Sequence, residues 1–295
     1  MQTAALIDAD DLAALLDSAD GPRPVLLDVR YPGPASDEDG RAQYLAGHIP
    51  GAAYVDLDTA LAAPHVPGVT GRHPLPDPGV FEEAMRAAGV SDDRPVVVYD
   101  DWLSIAAARA WWLLRRAGHV DVRVLDGGWS AWTRAGGPVD TGESLPAPGD
   151  FRAAQGALRV VDAQGAARIA REGVLLDARP AARFRGEDET IDPVAGHIPG
   201  ARSLPAASLV DGAGRFLAPP VLAERFAAVG AVAGVEVGVY CGSGIQACHA
   251  ALAAEASGAV PSPAVYAGSW SEWITDPARG VETGEGGRGA EAARG

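Results

Sequence analysis

Short apolar runs alternate along this chain with longer stretches of helical period. In the first half, residues 24–29 (PVLLDV), 94–100 (RPVVVYD) and 122–127 (VRVLDG) predict strands. Residues 10–17 (DDLAALLD), 78–89 (PGVFEEAMRAAG) and 104–118 (SIAAARAWWLLRRAG) predict helices. In the second half, 174–178 (VLLDA), 235–240 (VEVGVY) and 263–268 (PAVYAG) predict strands, and 219–230 and 246–256 predict helices. Strands that are apolar throughout suit a sheet covered on both faces. Their alternation with helices predicts an α/β fold with a mostly parallel central sheet flanked by helices. In such sheets, ligands sit at the carboxyl ends of the strands.

The pattern occurs twice. Leu26-Leu27-Asp28-Val29-Arg30 recurs as Leu175-Leu176-Asp177-Ala178-Arg179, and the GHIPGA of residues 47–52 recurs at 196–201, both at an offset of 149. Further on, Val97-Val98-Tyr99-Asp100 aligns with Gly238-Val239-Tyr240-Cys241, and Trp129-Ser130-Ala131-Trp132 aligns with Trp270-Ser271-Glu272-Trp273, both at an offset of 141. The first half therefore carries eight extra residues, within a Pro-, Gly- and His-rich insert around 59–78. Two tandem domains are expected, at 1–140 and 156–279, joined by a Pro/Gly/Ser-rich linker at 141–155. Residues 280–295 have almost no apolar content and are expected to be a disordered tail.

The chain has 295 residues and a formal net charge of −15. That charge disfavours nucleic acid and acidic membranes as partners. All 24 basic residues are arginine, so Schiff-base chemistry, pyridoxal-phosphate attachment and a Walker A loop are excluded for want of a lysine. No apolar run is long enough to predict a membrane-spanning helix. The acidic start, with Asp8, Asp10 and Asp11, resembles neither a signal nor a transit peptide, and a cytoplasmic location is expected. With only Cys241 and Cys248, neither a disulfide framework nor a four-cysteine zinc site is possible. No metal or organic cofactor is implied.

Cys241 directly follows a predicted buried strand, and Gly242-Ser243-Gly244-Ile245-Gln246 leads into a helix. Such a loop can aim several backbone N–H groups inward, and the helix start adds partial positive charge. Both favour a thiolate and would stabilise a persulfide on it. Cys248 lies two helical turns further on and reads as core. Asp100 stands at the corresponding position of the first half, which has thus lost the nucleophile. His48 and His197 precede Ile-Pro-Gly turns in both halves and read as turn-stabilising.

The two halves, the paired GHIPGA segments, the Trp-Ser-x-Trp ends and Cys-Gly-Ser-Gly-Ile-Gln-Ala together resemble the tandem rhodanese-domain sulfurtransferases, over about residues 5–277. The resemblance implies two rhodanese-like α/β domains, with the active cysteine in the second. It implies a ping-pong reaction in which Cys241 takes sulfur from a small-molecule donor, becomes a persulfide and passes the sulfur to a thiophilic acceptor. That acceptor would be cyanide, a thiol or thioredoxin. Thiosulfate-preferring members resemble Cys-Arg-Lys-Gly in this loop, whereas Gly242 and Ser243 are neutral and look like 3-mercaptopyruvate sulfurtransferases. The resemblance further implies a proton-transfer set of Ser243, His73 and Asp56, and Arg183 as the carboxylate anchor. Gly242, Gly244, Ile245 and Gln246 would complete the substrate loop. Thr190 stands where many members carry a second arginine, and Gln246 where threonine is usual. Thiosulfate:cyanide transfer and a partner-loaded sulfur carrier are the alternative functions. A cysteine phosphatase would need an arginine six residues after the cysteine, where this chain has Ala247.

Overall fold

The computed structural model describes residues 4–286 apart from 20, 34, 35, 37, 259, 261 and 262. The chain divides into two compact units that are not simply its two halves. The first unit takes the chain up to Ala63, Leu75–Ala157 and the short segment Val210–Phe216. The second takes Pro64–Pro74, Leu158–Leu209 and the chain from Leu217 onward.

The first unit runs β1 (Leu6–Ile7), α1 (Ala9–Asp17), β2 (Val25–Asp28), α2 (Gly40–Ala46), β3 (Ala53–Tyr54), α3 (Leu57–Ala60), α4 (Pro78–Ala87), β4 (Val96–Tyr99), α5 (Ile105–Arg116), β5 (Val122–Leu125) and α6 (Gly128–Arg134). Its strands form a parallel sheet of order β1-β5-β4-β2-β3. The second unit runs β6 (Val160–Val161), α7 (Ala163–Glu172), β7 (Val174–Asp177), α8 (Ala181–Arg185), β8 (Arg202–Ser203), α9 (Pro219–Ala228), β9 (Val237–Tyr240), α10 (Ile245–Ser257), β10 (Ala264–Tyr266) and α11 (Ser269–Trp273). Its sheet, also parallel, has the order β6-β10-β9-β7-β8. Both units show the expected α/β architecture. The edge strands are two residues long, too short to leave a period in the sequence. The central strands β2, β4, β7 and β9 are buried at every position, which explains their unbroken apolar runs.

The repeated motifs make the same buried lock in each unit. Arg179 holds Asp177 through Nε and Nη2, donates to the Gly196 carbonyl at 2.7 Å and lies over the Trp270 ring. Arg30 does the same with Asp28, the Gly47 carbonyl and Trp129. The Tyr240 hydroxyl accepts the N–H of Ile198, and Tyr99 accepts that of Ile49. A buried arginine needs this full set of partners, so the LDxR, GHIPGA and Trp-Ser-x-Trp segments form one structural device. His197 and His48 belong to it, each bonded through Nδ1 to a backbone carbonyl and stacked on Phe184 or Tyr44.

Part of the stretch expected to be a disordered tail from Gly280 is held by hydrogen bonds. Glu282 exchanges both backbone hydrogen bonds with His197, and the Gly280 carbonyl accepts from Trp273 Nε1. Hydrogen bonds hold this stretch, while its one apolar side chain among the residues concerned, Val281, stays exposed. Residues 287–295 of the expected tail lie outside the described residues. Among the described residues, no helix is long and apolar enough to cross a membrane.

Candidate active site

β9 is the middle strand of the second sheet, and Cys241 follows its last residue. The loop from Cys241 to Gly244 then turns into α10. Gly244 has φ +87°, and a Cβ there would lie 2.3 Å from the Ala267 carbonyl oxygen, so the position requires glycine. Its N–H points back and donates to Cys241 Sγ at 3.1 Å. Cys241 is buried, 2% exposed. Cys248, also buried, donates its thiol to the Gly244 carbonyl from one turn inside the helix, in keeping with a core role.

The start of α11 clamps the loop from below. Ser269, at the unusual φ of +54°, accepts the Cys241 N–H at 3.1 Å and donates to the Tyr266 carbonyl. The N–H groups of Trp270 and Ser271 donate to the carbonyls of Cys241 and Gly242. Sequence reasoning used the Trp-Ser-x-Trp segment to mark the repeat and the family resemblance, and missed this clamp. The signal that could have found it is the constant spacing between that segment and the cysteine position in both halves.

The first unit holds an internal control. Asp100 follows β4, the middle strand of the first sheet. Its Oδ1 accepts from the N–H groups of Trp102 and Ser104, and its Oδ2 from that of Ala107, at 2.8–2.9 Å. The Trp129 N–H donates to the Asp100 carbonyl, as Trp270 does to Cys241. Burial pushes the Asp100 carboxyl up to about 6, against the pull of those backbone donors. A loop of this build gathers several N–H groups on the side chain that follows the middle strand. It is a cradle for an anion, filled in the first unit by the chain's own carboxylate.

The other expected site residues divide between the units. Ser243 is buried, and its Oγ stands 2.8 Å from Nδ1 of His73. His73 comes from the first half of the sequence, but its segment, Pro64–Pro74, is part of the second unit. Arg183, on α8, is also in the second unit. It is engaged by Glu189 through Nε and by Asp192 at 2.8 Å through Nη2. Burial pushes the Glu189 carboxyl up, but the Arg183 hydrogen bond and the N–H groups of Asp192 and Ile191 pull harder, and the net shift is downward. Ile245 is the first residue of α10, and Gln246 follows it, half-buried. Asp56 lies in the first unit, where it caps α3 and accepts from the N–H and hydroxyl of Thr59.

One residue at this site was not foreseen. Arg72, beside His73, pairs with Asp192, and its backbone N–H donates to Ser271 Oγ at 3.0 Å. A Cβ on Gly242 would lie 2.9 Å from Arg72 Nη2 and 3.7 Å from Arg183 Nη1. Two guanidinium groups therefore stand over the loop. Among the described residues, no group of His, Cys, Asp and Glu could hold a metal ion.

The Rhodanese-like domain family matches residues 8–135 and 162–276. A Pseudomonas aeruginosa protein named "Probable 3-mercaptopyruvate sulfurtransferase" is 47% identical over 97% of this chain and all of its own length. A Mycobacterium tuberculosis protein named "Putative thiosulfate sulfurtransferase SseB" is 42% identical over 95% of this chain and 97% of its own. The crystal structure of SseA from Escherichia coli, described as a 3-mercaptopyruvate sulfotransferase with the rhodanese fold, aligns with a TM-score of 0.79 at 35% identity, covering 92% of this chain and all of that one. The repeated lock, the cradle after each middle strand and these matches agree: the chain belongs to the rhodanese family, among its two-domain sulfurtransferases.

Proposed function

We propose that this chain transfers sulfur from 3-mercaptopyruvate, through a persulfide on Cys241, to a thiophilic acceptor. The Cys241 thiolate attacks the donor sulfur and forms an S–S bond. The C–S bond breaks, and its electron pair passes to the carbon next to the ketone, giving the enolate of pyruvate. That enolate takes a proton and leaves as pyruvate. The acceptor then attacks the outer sulfur, and the Cys241 thiolate departs. No external oxidant or reductant is needed: the donor's thiol sulfur becomes sulfane sulfur because the carbon keeps the C–S electron pair and is reduced to the methyl group of pyruvate, and the second half-reaction only passes that sulfur on.

The observation that carries the reading is the 2.8 Å contact between Ser243 Oγ and His73 Nδ1 beside the cysteine loop. A hydroxyl hydrogen-bonded to an imidazole can pass a proton to the enolate, with the ring relaying the replacement proton to the hydroxyl from solvent. The loop N–H groups and the start of α10 support the thiolate and the persulfide anion. No step is assigned to Asp56, whose carboxylate is engaged as a helix cap. A free reactive thiol and a thiol, thioredoxin or cyanide acceptor fit a reducing compartment such as the cytoplasm.

Thiosulfate transfer is a second reading, favoured by the name of the M. tuberculosis relative. Steady-state transfer to cyanide with each donor in parallel tests both. A large kcat/KM advantage for 3-mercaptopyruvate is expected, together with one extra sulfur atom on Cys241 by mass spectrometry after donor treatment. Cys241→Ser should abolish both signals. A thiosulfate advantage would select the second reading. Turnover of neither donor, with sulfur arriving on Cys241 only from a protein partner, would make the chain a sulfur carrier.

A further inference from the structure

One cluster of six charged groups in the second unit runs from the buried Arg179–Asp177 pair to the cysteine loop. Arg179 pairs with Asp177 and stands 3.6 Å from Glu189. Arg183 pairs with Glu189 and Asp192. Arg72 pairs with Asp192 from the other side. Asp192 therefore sits between two guanidinium groups, with Oδ1 on Arg72 and Oδ2 on Arg183. Its side chain is only 3% exposed, whereas those of Arg72 and Arg183 are 28% and 12% exposed. The carboxylate is the floor, and the two arginines stand on it.

The bonds to Asp192 and Glu189 engage Nη1 of Arg72 and Nε and Nη2 of Arg183. The ends left over are Nη2 of Arg72 and Nη1 of Arg183, the two atoms nearest the Cβ position of Gly242. A planar guanidinium fixed on one edge presents its other edge in a set direction. We propose that Arg72 and Arg183 form a two-arginine fork for the donor's carboxylate above Gly242, with Asp192 as the positioning residue that aligns both and sets the charge preference. This extends the proposed sulfurtransferase reading and rests on it.

The charge count gives Asp192 its role in specificity. Arg72 and Arg183 with Glu189 and Asp192 sum to zero net charge, and the buried Arg179–Asp177 pair behind them adds none. Such a site holds one carboxylate by directed hydrogen bonds and offers no excess positive charge to a dianion. Removing the Asp192 charge leaves a net of about +1, and a dianion gains about twice as much from that as a monoanion does.

The test uses the full chain, with kcat and KM measured separately for 3-mercaptopyruvate and thiosulfate at saturating cyanide. Arg72→Gln should raise the 3-mercaptopyruvate KM about tenfold or more, the loss expected for one charge-assisted hydrogen bond, while kcat changes by less than about twofold. Asp192→Asn should move the kcat/KM ratio of thiosulfate to 3-mercaptopyruvate about tenfold toward thiosulfate. An unchanged KM in Arg72→Gln overturns the fork. An Asp192→Asn that slows both donors by one factor, alongside a fall in Tm, reduces Asp192 to a structural prop and overturns its role in specificity. If the wild-type chain turned over neither donor, the functional reading alone would have failed. Calorimetric titration with pyruvate would then read the fork directly: weaker binding to Arg72→Gln than to wild type keeps it, and equal binding removes it.

Discussion

The hydroxyl of Ser243 and the imidazole of His73 matter only for a donor whose leaving group must be protonated on carbon. An enolate needs that proton; sulfite, the leaving group from thiosulfate, departs as a stable anion. Ser243→Ala and His73→Ala should therefore lower kcat for 3-mercaptopyruvate by about a hundredfold and leave thiosulfate turnover within a few-fold, as general acid catalysis predicts. Equal slowing with both donors would remove the proton-transfer role. Asp56 makes the opposite case. As a cap on α3 it should tolerate Asp56→Asn with no change in Tm or turnover, while Asp56→Ala costs about 1 kcal/mol in a denaturant titration. A selective kcat loss in Asp56→Asn would give it back a part in the chemistry. Cys241 stood out in the sequence because a strand, two glycines and a helix frame it, whereas Ser243 and His73 entered only through the family resemblance. Arg72 did neither. Its partner Asp192 is 120 residues away and has no motif of its own, and only the fold brings the two together.

At the scale of the element, the strand–loop–helix unit occurs twice with different contents, and each copy predicts something about the other. In the second unit, Gly244→Ala forces a left-handed residue against the Ala267 carbonyl. It should cost about 2 kcal/mol or more of stability. It should also lower transfer from both donors, because the N–H that faces Cys241 Sγ moves. In the first unit, the cradle holds Asp100, whose carboxyl is raised to about 6 from 3.8. The folded state thus binds this proton more tightly than the unfolded state does. The stability it contributes is complete below about pH 4 and is lost as pH rises through about 6, a change of about 3 kcal/mol for a shift of that size. The Tm of the wild type minus that of Asp100→Asn should fall across this interval, and a flat difference would mean that the backbone donors fully offset burial. The long central strands and α4, α5, α9 and α10 were legible from their apolar runs and helical period. The two-residue edge strands and the clamp at the start of α11 were not, because they rest mostly on backbone hydrogen bonds, with one serine hydroxyl in the clamp, and leave little compositional trace.

For the whole molecule, the repeat made two domains plain, but it could not show that each unit borrows a segment from the other half. Pro64–Pro74, within the insert of the first half, carries Arg72 and His73 into the second unit, and Val210–Phe216 joins the first. The insert was visible as an offset of eight residues; where it folds was not, since its hold on the second unit runs through single contacts such as Arg72 N–H to Ser271 Oγ. Net charge acts at this same scale. With 39 acidic against 24 basic residues, the molecule presents a field of −15 to anionic donors, although the mouth of the site is locally balanced. Raising ionic strength from about 10 mM to 150 mM shortens the screening length from about 30 Å to 8 Å. The distant charges are then silenced, while contacts inside the half-buried site are less affected. The kcat/KM for 3-mercaptopyruvate should therefore rise with salt by a few-fold, and that for thiosulfate by roughly the square of that factor, because its charge is doubled. A fall with salt for both donors would show that the local arginines, and not the acidic surface, govern the approach of the donor.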